Sequence, residues 1–259
     1  MNETIVLPDE RLDEVNERLS LISKKNGLTL STDAYLLAAF TRPAPKGIAV
    51  ELGTGTGIVS LLCAAKGRFS HIHALEIQPD FADLACRNVS LNHHLTDRIT
   101  VHCADIRQMT AARIGTEVDA VFSNPPYMRT DTGKRNDSDY QYIARHEVCG
   151  EISDFCAAAS RLLKHGGKFT CVYHPDRLSD LMAAMRENHL EPKQMIFVHA
   201  DADAEPSSVL IRAHKGGAVG LRVLPPLLLH DTAKDENGKR PLSARATRIY
   251  ETMSFDEDI

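Results

Sequence analysis

Downstream of residue 47, short apolar runs alternate with segments whose apolar residues recur every three or four positions. That alternation predicts strands interleaved with amphipathic helices. The strands are GIAVELG (47–53), HIHALEI (71–77), ITVHCAD (99–105), VDAVFSNPP (118–126), GKFTCVYH (167–174), KQMIFVHA (193–200) and SSVLIRAHK (207–215). Between them lie the predicted helices GIVSLLCAAKG (57–67), DFADLACRNVSLNHH (80–94), EISDFCAAASRLLKHGG (151–167) and RLSDLMAAMRENHL (177–190). Strands joined through helices make a parallel sheet covered on both faces, an α/β doubly wound architecture.

The ends of the chain break this rhythm. DERLDEVNERL (9–19) has the spacing of a short amphipathic helix, and LSLISKKNGLTL (19–30) reads as a hairpin turning at Asn26-Gly27. Ser31 or Thr32 then caps a helix, DAYLLAAF, that stops before Pro43. At the other end, Leu221 to Leu229 fits an edge strand interrupted by Pro225-Pro226, and the polar remainder reads as flexible. The expected organisation is an N-terminal helix, hairpin and flanking helix over 1–45, a catalytic domain over 46–231 and a flexible tail over 232–259.

A chain of 259 residues has room for one large α/β domain. The six cysteines form no CxxC pair, which suits reduced thiols rather than disulfides or zinc. His71/His73 and His93/His94 lack carboxylate or cysteine partners at ligand spacing, so no metal is expected. A polar, acidic start and the lack of a long apolar run predict a cytoplasmic protein with no membrane partner, and a monomer is favoured. The net charge of −5 argues against indiscriminate nucleic-acid binding but leaves room for local basic patches. Two segments supply candidates: Arg129, Lys134, Arg135 and Arg145 in one, and Lys234 to Arg248 in the other.

Chemistry gathers at the strand ends, where ligands of open α/β sheets bind. Glu51-Leu52-Gly53-Thr54-Gly55-Thr56-Gly57 places glycines at alternate positions, letting the backbone turn tightly against a ligand. Ile58 stands where a dinucleotide fingerprint needs its third glycine, which disfavours a nicotinamide cofactor. Glu76 lies about twenty residues beyond the turn, where an acid grips ribose hydroxyls. Asp105 ends the third strand, placed to read an adenine amino group. With Gly53, Thr54, Gly55, Gly57, Ile77 and Ile106 these acids form the candidate cofactor set. After the fourth strand comes Asn124-Pro125-Pro126-Tyr127.

These motifs, in this order, resemble those of class I S-adenosylmethionine methyltransferases that modify planar amino nitrogens. The resemblance implies a Rossmann-like sheet of seven strands with the last antiparallel, S-adenosyl-L-methionine as cofactor, and catalysis at Asn124, Pro125, Pro126 and Tyr127, with Asn124 also beside the cofactor. A conjugated amine is a poor nucleophile; side-chain and backbone carbonyls that accept its two N–H groups draw it toward tetrahedral geometry. Pro125 brings no competing N–H, and Tyr127 can stack on a base.

The segment from Leu30 to Ala38, with ERLDEV before it, is similar to the N-terminus of the bacterial valine-tRNA adenine-N6 methyltransferases. That resemblance adds Thr32 and Asp33 as cofactor contacts, a tRNA substrate, and Arg145-His146-Glu147 as a segment ordering the site. Ser23 departs from the family's usual glutamine. Glutamine-N5 protein methyltransferases and guanine-N2 ribosomal RNA methyltransferases share the four-residue motif and remain alternatives. So does a non-catalytic module that binds cofactor or RNA.

Overall fold

The computed structural model describes residues 6–25, 31–126, 150–233, 238 and 240–255. The chain opens with strands β1 (Glu10–Asn16) and β2 (Leu19–Lys24), paired antiparallel from Glu10↔Lys24 to Asn16↔Leu19. The expected helix over DERLDEVNERL is therefore a strand, and the hairpin turns at Glu17-Arg18. The apolar spacing of Leu12, Val15 and Leu19 suits a helix, but β2 supplies a partner edge and buries Leu19, Leu21 and Ile22, so pairing overrides local pattern. Asn26-Gly27, the expected turn, lies outside the described residues. Glu10 anchors the hairpin by accepting two 2.7 Å bonds from the Arg87 guanidinium. That partner, aided by the Leu7 amide and Lys24, brings the Glu10 carboxyl down to about 2 against the cost of burial.

Helix α1 (Thr32–Phe40) is capped by the Ser31 hydroxyl, which accepts the Ala34 amide at 3.1 Å. It is apolar nearly all round, and Ala34 and Leu36 to Phe40 are buried. Its last carbonyls meet two buried arginines. Arg68 donates to the Thr41 carbonyl at 2.6 Å and to that of Ala39 at 3.3 Å, and Arg212 donates to that of Phe40.

The central layer then follows. It comprises β3 (Ala44–Leu52), α2 (Ile58–Ala65), β4 (Phe69–Glu76), α3 (Pro79–Leu91), β5 (Ile99–Cys103), the one-turn α4 (Ala111–Ile114) and β6 (Val118–Ser123). Beyond residue 150 come α5 (Ile152–Leu162), β7 (Leu163–Tyr173), α6 (Leu178–Glu187), β8 (Leu190–His199), β9 (Pro206–Lys215), β10 (Arg222–Val223) and β11 (Leu227–Leu228). The sheet order is β10-β8-β9-β7-β6-β3-β4-β5, with β11 also on β8. Strand β9 runs antiparallel to both β7 and β8, as expected of the last long strand. Helix α5 stops at Leu162, and the Lys164–Gly167 stretch that the sequence assigned to it belongs to β7. The interruption at Pro225-Pro226 separates β10 from β11, where a missing N–H cannot join a ladder.

Side-chain alternation splits the core into two layers. Ala49, Phe122 and Phe69 face α1, α2 and the hairpin, whereas Val50, Val121 and Phe169 face α5 and α6. Strands β3 to β7 all run parallel, but the order in which they are added to the sheet reverses at β3, with β4 and β5 on one side and β6 and β7 on the other. Ligands of open α/β sheets bind at such a switch point, which here falls at the carboxyl ends of β3 and β6.

The C-terminal stretch corrects a third expectation. Residues 240–255 are packed, with helix α7 (Ala244–Thr252) capped by Ser243. Ala246, Ile249 and Met253 recur at helical spacing and are buried, together with Phe255. Charged neighbours masked that stripe in the sequence. Met253 offers its carbonyl to Arg68, and Phe255 stands edge-on to Phe40 with centroids 5.4 Å apart. Two of the basic residues expected to form a patch here are structural. Arg240 pairs with Asp201, and Arg245 donates to the carbonyls of Pro225 and Pro226 at 2.9 and 2.8 Å.

Candidate active site

Strand register brings the predicted residues to one edge. Leu52 is paired with Leu75 on one side and Ser123 on the other, and Glu76 with Cys103. Gly53, Glu76 and Asn124 therefore begin or border adjacent strand ends, and Asp105 follows two residues after Cys103. The Ser123 hydroxyl donates to the Leu52 carbonyl at 2.8 Å, stitching the two strands where they diverge.

The loop between β3 and α2 uses left-handed backbone at each of its glycines, with φ of 71° at Gly53, 55° at Gly55 and 83° at Gly57. A side chain there carries steric strain of about 1–2 kcal/mol per residue. A Cβ added at Gly55 would meet nothing within 4 Å, so this backbone faces open space. Its neighbours are held firmly. Thr54 N donates to the Leu75 carbonyl and Gly55 N to Glu76 Oε2, both at 2.9 Å. Glu76 Oε1 accepts the Gln78 amide at 3.0 Å, so its carboxylate bridges the loop and the end of β4. Ile77 is half-buried beside it, while Ile106 is buried.

Glu51 turns into the protein. Its Oε2 accepts the Thr54 hydroxyl at 2.6 Å, the Ser60 amide at 3.1 Å and the Ser60 hydroxyl. Burial pushes its carboxyl up to about 7, against the pull of the Ser60 and Thr54 donors. Glu51 thus braces the loop against the first turn of α2. Asp105 caps the short turn that follows it, accepting the Arg107 amide at 2.8 Å, and its carboxylate pairs with the Arg107 guanidinium. That pair holds the Asp105 carboxyl below its ordinary value.

Thr32 is exposed and Asp33 half-buried at the start of α1. Burial raises the Asp33 carboxyl. Asn124 and Pro126 are half-buried and Pro125 is buried immediately after β6. Tyr127, Arg129, Lys134, Arg135 and Arg145 lie outside the described residues.

Sequence reading passed over three contributors. Phe155, from α5, lies under Gly53, where a Cβ would approach its ring to 3.5 Å. Ser60 completes the Glu51 cluster. Asn88 reaches the loop from α3 through the Thr56 carbonyl at 2.9 Å. Its signal was a pair of asparagines, Asn88 and Asn92, one turn apart on a helix face that otherwise carries apolar residues.

On the neighbouring strands β4 and β5, where His73 is paired with Thr100 and His102 with Leu75, the His73 and His102 side chains meet, with His73 Nδ1 3.0 Å from His102 Nε2. Among the described residues, no group of three His, Cys, Asp or Glu side chains is disposed to hold a metal ion. No described helix is long and apolar enough to cross a membrane.

The switch point of the sheet, the open Gly-rich turn and the Asn-Pro-Pro segment at the end of the adjacent strand define a class I methyltransferase. The chain matches the methyltransferase small domain over residues 29–189. It is 33% identical over 189 residues to a tRNA1(Val) (adenine(37)-N6)-methyltransferase of Phocaeicola vulgatus, covering 71% of this chain and 76% of the relative. A relative of the same name from Bacteroides fragilis is 32% identical, with 72% and 77% covered. In fold, the chain is similar to a predicted O-methyltransferase of Agrobacterium tumefaciens, with a TM-score of 0.67 at 20% identity, covering 86% of this chain and 96% of that one. The chain belongs to the methyltransferase small domain family, in the group of the tRNA1(Val) (adenine(37)-N6)-methyltransferases.

Proposed function

We propose that this protein transfers the methyl group of S-adenosylmethionine to the exocyclic N6 of an adenine in tRNA, the adenine at position 37 of a valine tRNA being the first candidate. The observation that carries the reading is the convergence of Gly53–Gly57, Glu76, Asp105 and Asn124 on the ends of adjacent strands. The site's chemistry fits the cofactor. Gly55 presents backbone to open space, which a ligand rather than a side chain would fill. Glu76, at the end of β4, is in place to take ribose hydroxyls, and Asp105 and Ile106 to flank the adenine ring. Thr32 and Asp33 are assigned to the methionine end, as in the resemblance noted above.

When bound, the cofactor supplies an electrophilic methyl on a sulfonium. The acceptor side belongs to the segment after β6. The Asn124 side-chain carbonyl and the Pro125 backbone carbonyl each accept one N–H of the adenine amine. That localises the nitrogen lone pair and aims it toward the switch point. Transfer would form the N–C bond from that lone pair while the C–S pair stayed with sulfur, and the surplus N–H proton would leave to solvent. Pro125 contributes a fixed φ and no competing donor. Tyr127 stacks on the base, and Arg129, Lys134, Arg135 and Arg145 meet the RNA backbone. The family names of the relatives support adenine over glutamine or guanine as the acceptor.

The test uses purified protein, methyl-labelled cofactor and separate pools of tRNA, ribosomal RNA, DNA and release factor from cells lacking the gene. N6-methyladenosine in tRNA alone is the expected product. Label in methylglutamine or methylguanosine would move the substrate while keeping the site. Cofactor binding without turnover on any pool would make this a binding module.

A further inference from the structure

Among the described residues no strand pairs with the outer edge of β2; two asparagines take that place, Asn88 in α3 and Asn92 at its C-cap. Asn92 Oδ1 accepts the Ser20 amide at 3.1 Å and its Nδ2 donates to the Ser20 carbonyl at 2.8 Å. One turn earlier, Asn88 does the same to Ile22, with bonds of 2.6 and 2.9 Å. The two amides thus satisfy alternate residues of β2 as a paired strand would. They differ in their remaining bond. Asn92 donates it to Asn88, within the helix, at 2.8 Å. Asn88 donates it to the carbonyl of Thr56, in the middle of the Gly-rich loop, at 2.9 Å.

We infer that Asn88 is a positioning residue for the cofactor, fixing the Gly-rich loop from behind and tying its conformation to the N-terminal hairpin. The inference rests on the reading that this loop holds S-adenosylmethionine. Thr56 stands between Gly55 and Gly57, the most conformationally free backbone in the loop. The other ties reach Thr54 and Gly55 from the sheet side, through Leu75, Glu51 and Glu76. Asn88 is wholly buried and supplies the tie from the opposite side, where α3 also backs Gly57 closely: a Cβ on that glycine would stand 3.4 Å from Ala85 Cβ. Without the Asn88 amide the Thr56 carbonyl loses that bond, and the loop samples conformations that the ligand must then select against. A binding-competent fraction below one weakens apparent affinity in proportion.

Asn92 provides the control, since its removal frees as much of β2 but leaves Thr56 tied. Titration calorimetry with S-adenosylhomocysteine is the assay, on the full chain and its Asn88→Ala and Asn92→Ala variants. Both variants should lower the melting temperature by similar amounts. Asn88→Ala should weaken binding about tenfold, equivalent to ~1.4 kcal/mol, and Asn92→Ala by less than about twofold. With tRNA present, Asn88→Ala should raise the KM for cofactor and leave kcat at saturation within a factor of about two. Equal weakening by the two variants, or none by Asn88→Ala, overturns the inference. Should Asn88→Ala not fold, Asn88→Ser is read by the same criteria. If the unaltered chain does not bind S-adenosylhomocysteine, the cofactor reading itself has failed, a distinct result.

Discussion

Replacing Phe255 with alanine removes a ring that is 1% exposed and packs edge-on against Phe40 in the last turn of α1. Large-to-small changes of this kind cost about 3–5 kcal/mol, the transfer of the ring plus the cavity left behind. Partial collapse of the neighbouring side chains refills some of the cavity, so the lower figure of about 3 kcal/mol applies. In urea, with a slope of roughly 3 kcal/mol per molar, the midpoint should fall by about 1 M. Leu242→Ala is the matched control. Leu242 belongs to the same C-terminal stretch but is 40% exposed, and its loss should change stability by no more than about 0.5 kcal/mol. Far-ultraviolet circular dichroism follows both transitions. If Phe255→Ala moves the midpoint no further than Leu242→Ala, the C-terminal segment does not pack on α1 and the flexible tail expected from sequence is correct.

The buried Glu51 carboxyl, raised to about 7 by burial, holds its proton more tightly in the folded state than in the unfolded one. The unfolded chain ionises first, so this group's contribution to stability is lost as pH rises from about 4.5 through 7. In Glu51→Gln that loss should vanish from melting curves taken across the same window; an unchanged pH dependence would refute the assignment. His73 has the opposite consequence. Burial, with His71 and His102 alongside, lowers it to about 4, so the unfolded chain gains its proton first and stability falls as pH drops from about 6.5 toward 4. His73→Gln should flatten melting temperature over that range, and a slope equal to that of the unaltered protein would contradict the reading. Asn124→Ala should lower single-turnover methyl transfer by at least about a hundredfold, the scale of losing a polar group that acts mainly in the transition state. Its affinity for S-adenosylhomocysteine should stay within a few fold, and loss of binding would show that Asn124 serves the cofactor instead.

The sheet was legible because its strands are buried on both faces and read as unbroken apolar runs, from GIAVELG to SSVLIRAHK. The strand ends were legible because glycine and proline constrain backbone in ways that few other residues share. The hairpin was not, since Leu12, Val15 and Leu19 satisfy a helical spacing and only pairing with β2 decides between the two. Nor was α7, whose two buried positions, Ala246 and Ile249, are diluted by Arg245, Arg248 and Glu251. In the site, the residues that present backbone or carboxylate at a strand end were found. Ser60, Asn88 and Phe155 were missed because they act across sequence distance, through contacts that exist once the chain has folded.

The most direct test of the proposed activity is single-turnover methyl transfer from labelled S-adenosylmethionine to a valine-tRNA transcript and to the same transcript with guanine in place of the target adenine. The account predicts label in the first alone, recovered as N6-methyladenosine. Equal labelling of both transcripts, or label in neither while a protein or ribosomal RNA pool is methylated, would contradict it.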